Sequence, residues 1–175
     1  MTPIGSLEAA ENAVLAGART LLAAVRRHAE NEPQTVTEAV ATLAALRQEV
    51  YEDLNQLQHE HLIIRAAQWL RDNDLVPANA SWYWNPRQTG DDTEPDLGAD
   101  LDGEPIASAE VTASAEPKGV IDKRMANTLA KLNRMAGAKF YFVCTESMRR
   151  RAQTKVKKNA WPIRVVSLAD GAAAF

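Results

Sequence analysis

The 175-residue chain has one cysteine, Cys144, which excludes an internal disulfide and a cysteine-built metal site. It has three histidines, His28, His59 and His61, none with a Cys or His partner at metal-ligand spacing. All three read as surface residues. No apolar run approaches the roughly 18 residues that a membrane span needs. The opening MTPIGSLEAAENA lacks the basic and then apolar segments of a secretion signal, so the expected location is cytoplasmic. A glycine-rich phosphate loop, a Ser-His-Asp order and an internal repeat are missing too.

What is present is an ordinary globular composition, 46% hydrophobic and 25% charged, long enough to bury a core. Net charge is only −3, but it is unevenly placed. Residues 1–117 hold seven Lys and Arg against twenty Asp and Glu, whereas residues 118–164 hold thirteen against two. A basic segment in a mildly acidic chain points to an anionic partner. The competing reading is that the two halves neutralise each other in the fold.

Residues 6–30 have Leu7, Val14 and Leu21 seven apart, which predicts an Ala-rich helix. Pro33 breaks it, and Thr35 or Thr37 caps a second helix from about residue 36. There Leu43, Val50, Leu57 and Ile64 repeat by sevens, with Val40 and Leu54 alongside. The pair makes a helical hairpin over residues 1–57, a module that tends to form homodimers through such seams. A change of apolar spacing at QLQHEH predicts a kink there. Residues 58–175 then form a core that opens on EHLIIRAAQWLRDNDL.

The order that follows is regular. ASWYWNP, PDLGADL and PIASAEVTAS are strands, IDKRMANTLAKLNRMA is a helix and KFYFVCT a buried strand. SMRRRAQTKVKKNA is a basic helix and PIRVVSL a last strand. NPRQTGDDTEP, residues 85–95, reads as a loop. The core order is αβββαβαβ, in the mixed α/β class.

The hairpin of residues 95–114 carries acids on otherwise small or apolar strands. A two-residue Asp102-Gly103 turn would put Asp96 and Glu110 on opposite faces. A three-residue loop through Glu104 closes Leu101 on Pro105 and sets the two acids across from each other, about 5 Å apart. Carboxylates so close repel unless a cation lies between them, and oxygen ligands with open positions suit Mg²⁺. A solvated acidic sheet face is the competing reading.

Pro95-Asp96, thirteen intervening residues and then Glu110-Val111-Thr112, within that element order, resemble the PD-(D/E)XK nuclease superfamily. The resemblance covers about residues 58–168 and implies a mixed-sheet, restriction-endonuclease-like core behind the helical hairpin. It further implies a DNA-cleaving endonuclease using Mg²⁺ or Mn²⁺. Asp96, Glu110 and the Val111 carbonyl would hold the metal, with Glu60 at a position that assists in some members. Thr112 departs from the pattern, since the family has a lysine there. Some members move this lysine to a neighbouring element, and Lys118 and Lys123 are the candidates on this chain.

The remaining cations suit a phosphate backbone. Arg149, Arg150, Arg151, Lys155, Lys157 and Lys158 project from one helix, and Arg124 and Lys131 from the preceding one. Such contacts position a duplex without reading its sequence. Two other functions fit the same residues. One is a non-catalytic nucleic-acid-binding module of the same fold. The other is a protein-interaction subunit of a larger DNA-processing complex, docked through the hairpin.

Overall fold

The computed structural model describes residues 2–85 and 94–169 of the chain. Its elements are β1 (Thr2–Pro3), α1 (Leu7–Ala29), α2 (Val36–Asp72), β2 (Ser81–Trp84), β3 (Leu97–Leu101) and β4 (Glu104–Thr112). They continue as α3 (Val120–Asn133), β5 (Ala138–Val143), α4 (Glu146–Lys158) and β6 (Ile163–Ser167). From α2 onward the order is the expected αβββαβαβ. Strand β1 was not expected, and the loop foreseen at 85–95 lies mostly outside the described residues.

One six-stranded sheet runs β1-β2-β3-β4-β5-β6. Strands β1 to β4 pair antiparallel, and β4, β5 and β6 pair parallel. The two parallel steps each need a crossover helix, and α3 and α4 supply them. The chain is therefore α/β with a mixed sheet and a helical N-terminal region.

Alternation along the strands sorts the core into two layers. Ala107, Ala109 and Val111 of β4 join Phe140 and Phe142 of β5 against Ile63, Ala66, Ala67 and Leu70 of α2. Tyr141 and Val143 face the other way, onto Met125, Leu129 and Leu132 of α3 and Met148 and Ala152 of α4. The small residues of β4 let α2 lie close, and the two phenylalanines fill the remaining depth. Trp69 meets the Phe142 ring edge-on with 5.6 Å between centroids. Gly137, at φ 72°, sits where an added Cβ would lie 2.5 Å from the Ile106 carbonyl carbon. Only glycine fits there, which brings the start of β5 tightly beside β4.

Both long helices are capped as their sequences allow. The Ser6 and Thr35 side chains accept from the backbone N–H groups of Ala9 and Glu38. Helix α2 is continuous for 37 residues, about 55 Å at 1.5 Å per residue. The expected kink at QLQHEH is absent. No glycine or proline falls between Val36 and Asp72, and the change in apolar spacing marks a change of partner. The first half of α2 packs on α1, with Thr42, Leu46 and Val50 half-buried, while the second half packs on the sheet. The boundary at residues 57 and 58 therefore falls inside one helix. Leu43, Val40 and Leu54, expected in the hairpin seam, are instead exposed at 65%, 61% and 46%.

Candidate active site

Strand β3 meets β4 in the register Leu97↔Ala109, Gly98↔Ser108 and Ala99↔Ala107. Nearer the turn the pairs are Asp100↔Pro105 and Leu101↔Glu104. The turn is thus the two-residue Asp102-Gly103, both at positive φ (54° and 83°), as a type I′ turn requires. The expected three-residue loop does not form. A bulge at Ile106 supplies the extra residue instead, and it restores the pairing in which Asp96 stands opposite Glu110.

Both carboxylates are buried, Asp96 at 2% exposure and Glu110 at 3%. They meet at the sheet rim between α2 and α3. Asp96 Oδ2 accepts the Val111 N–H at 2.8 Å, which locks it across the strand end. The same oxygen lies 3.3 Å from His59 Nε2 on α2. Glu110 Oε1 lies 2.8 Å from the Lys131 ammonium on α3. Burial, and then the neighbouring Asp96 charge, push the Glu110 carboxyl up to about 7, while Lys131 works against that rise. Beside Glu110, the Thr112 hydroxyl is 2.7 Å from the Tyr141 hydroxyl, so Thr112 serves a neutral hydrogen bond.

A cleft of about 700 Å³ opens in front of these groups. Glu52, Gln56 and His59 of α2 form one wall, and Arg124, Met125 and Thr128 of α3 the other. Glu110, Val111, Thr112 and Tyr141 form the floor, with Asp96 just behind His59.

The site differs from the sequence reading in its supporting residues. His59 and not Glu60 joins the acids, and Glu60 accepts a 3.4 Å hydrogen bond from Gln56 instead. His59 is therefore no surface residue, at 16% side-chain exposure, and His28 is tied to Glu49 at 2.7 Å. Lys118, 81% exposed, pairs with Glu116 at 2.5 Å, and Lys123 is exposed; neither lines the cleft. Lys131, expected to contact phosphates, is the lysine at the carboxylates. Its spacing of seven from Arg124, with Thr128 between, is the signal that places it on the cleft side of α3.

The outward basic face is partly neutralised. Arg149 pairs with Glu146 at 2.6 Å, and Arg151 and Lys155 both reach Asp122, at 2.7 and 3.1 Å. Those two cations hold the Asp122 carboxyl well below the usual range, Arg151 first. Arg150, Lys157 and Lys158 are exposed, and none forms an ion pair among the described residues.

The donor set is compatible with a hard divalent cation, which prefers carboxylate and carbonyl oxygens and keeps several waters. It is sparse, since among the described residues no group of three or more His, Cys, Asp or Glu is placed around one point. Among the described residues, no helix is long and apolar enough to cross a membrane. Comparison with protein-family models, with curated proteins and with solved structures found no match to this chain.

Proposed function

We propose that the chain is a divalent-cation-dependent nuclease with a restriction-endonuclease-like core that hydrolyses DNA phosphodiester bonds. One observation carries this reading: Asp96, just before β3, and Glu110 on β4 are both buried at the floor of a cleft that Arg124 lines. Burying two carboxylates side by side is costly, and folds keep such pairs where chemistry uses them. The αβββαβαβ order and the mixed sheet support the same reading.

Asp96, Glu110 and the Val111 carbonyl would hold the Mg²⁺ or Mn²⁺. Such an ion polarises a phosphoryl oxygen and lowers the pKa of a bound water. The chain's own residues do the rest. Lys131 takes the place that Thr112 leaves empty: its ammonium, now on Glu110, turns to the phosphate and stabilises the charge that develops there. Arg124 on the same helix face holds the backbone in register. Arg150, Lys157 and Lys158 extend that hold along the duplex.

A second reading has its own observation. Lys131 already supplies a counter-charge to Glu110, as a cation would, and His59 already lies against Asp96. A binding module that has dispensed with the metal would look the same. Incubating supercoiled plasmid with the protein and Mg²⁺ or Mn²⁺ separates the two. Nicking that disappears in Glu110→Gln supports the nuclease. DNA binding with no metal-dependent nicking in the wild-type protein sinks it.

A further inference from the structure

The helical arm leaves large apolar side chains uncovered. On α1 these are Leu15, Leu22 and Val25, exposed at 47%, 57% and 38%. On α2 they are Val36, Val40, Leu43, Tyr51 and Leu54, exposed at between 46% and 81%. They are not scattered. At about 100° per residue, each stripe is rotated by roughly 100° from the seam that joins the two helices, in the same sense on both. In an antiparallel pair, equal rotations of the same sense bring both stripes to one face of the hairpin. The arm therefore carries a single continuous apolar face, interrupted by Arg47, whose guanidinium lies 5.9 Å from the Tyr51 ring centroid.

We propose that a second copy of this chain covers that face, building a four-helix bundle from two hairpins. Three observations favour a second copy over another partner. The first is the shape of the face: equal rotations on two antiparallel helices relate its halves by an approximate two-fold, and Gly17 lets the helices close up by leaving room for Leu57, 2.9 Å from an added Cβ. A face of that symmetry can pair with itself, as a two-fold joint requires. The second is area, since the eight side chains expose on the order of 800 Å² per copy, the size of one side of a standard stable interface. Lastly, the joint leaves the cleft uncovered, because Glu52, Asn55, Gln56 and His59 project roughly 130° around α2 from the apolar stripe. Each copy keeps its own cleft open, turned away from the joint, whatever reaction the cleft performs.

This differs from the dimer that the heptads alone suggest. Val50, Leu57 and Ile64 of that seam are spent inside the protomer, on α1 and the sheet. Of the expected seam Val40, Leu43 and Leu54 are left for a partner, with Val36 and Tyr51 beside them.

Sedimentation equilibrium on the full chain tests the proposal. The expected mass is twice the 19.2 kDa of the protomer at micromolar concentration. The thermal midpoint should rise with protein concentration, as linkage to association demands. Leu22→Glu with Leu43→Glu should weaken association at least a hundredfold and abolish that concentration dependence, with the far-UV spectrum of the wild-type protein. Val120→Glu, at an exposed apolar position on α3 and outside the proposed face, should leave the mass unchanged. If the double variant misfolds, the milder Leu43→Gln with Leu54→Gln provides the same reading. A wild-type chain that sediments as a monomer, or a dimer that survives both folded variants, overturns the proposal.

Discussion

The Lys131 ammonium sits 2.8 Å from Glu110 Oε1, joining the last turn of one crossover helix to a carboxylate buried at the sheet rim. Thr112, not a lysine, follows Val111 on β4, and this lysine arrives from the next helix. Replacing Lys131 with alanine should lower metal-dependent cleavage by about 10²- to 10⁴-fold, the range for losing one positioned charge or proton carrier. DNA affinity should change little, because the interaction strengthens only as charge develops. Single-turnover rates and filter-binding affinities, measured in parallel, check this. Equal losses in both would mean that Lys131 only holds phosphate.

Stability should depend on pH through Glu110. Its carboxyl is pushed from 4.5 up to about 7 in the fold, so the native state holds a proton that the unfolded chain has released. The difference operates between these two values, so the group's contribution is full below about pH 4.5 and is lost as pH rises through 7. The loss is on the order of 3 kcal/mol. Thermal scans between about pH 5 and 8 should show the wild-type midpoint falling relative to Glu110→Gln. Added Mg²⁺ should recover more of it at the alkaline end of that range than at the acid end. Parallel curves for the two proteins would contradict the assignment.

The cations of α4 divide into two groups that salt dependence distinguishes. Arg150 and Lys157 are exposed and form no ion pair among the described residues, so alanine at both should flatten the log–log salt slope of duplex binding by about two units. Arg151 and Lys155 are anchored on Asp122 of α3, so removing them should chiefly loosen the contact between α3 and α4. An equal change of slope from both pairs would show that the ion pairs open on binding.

Gly137→Ala should destabilise the fold by at least about 2 kcal/mol, from strain at φ 72° and a clash with the Ile106 carbonyl carbon. Urea denaturation measures it directly. A loss below about 0.5 kcal/mol would mean that the β4–β5 joint relaxes easily.

Much of the architecture was legible because period and punctuation agree along the core. Strand and helix order followed from alternation in residues 95–143 and from the amphipathic stripe of Met125, Leu129 and Leu132. The facing of Asp96 and Glu110 was also legible, but for an incomplete reason. Parity requires one extra residue between them, and parity cannot say whether it enters at the turn or at Ile106. Where partners are distant in sequence, local pattern failed. The heptads of α2 do not tell which residues face α1, which face the sheet and which face solvent. Lys131 read as one more surface cation: its helical spacing gives only its side of α3, not that Glu110 lies beneath it. His59 and Glu60 are adjacent, and only the rotation of α2 decides which of them meets Asp96.

Because α2 runs unbroken from the arm tip to the sheet, the molecule has no seam at which the arm ends and the cleft begins. Glu52, Asn55 and Gln56 belong to the arm by sequence and to the cleft by position. Cutting the chain near residue 57 would not free a smaller unit with the cleft intact. It would strip one wall from the cleft and uncap a helix in mid-span. Continuity also makes the rod a spacer, so whatever grips its far end fixes the distance and angle at which the cleft is presented, with no hinge to absorb a mismatch.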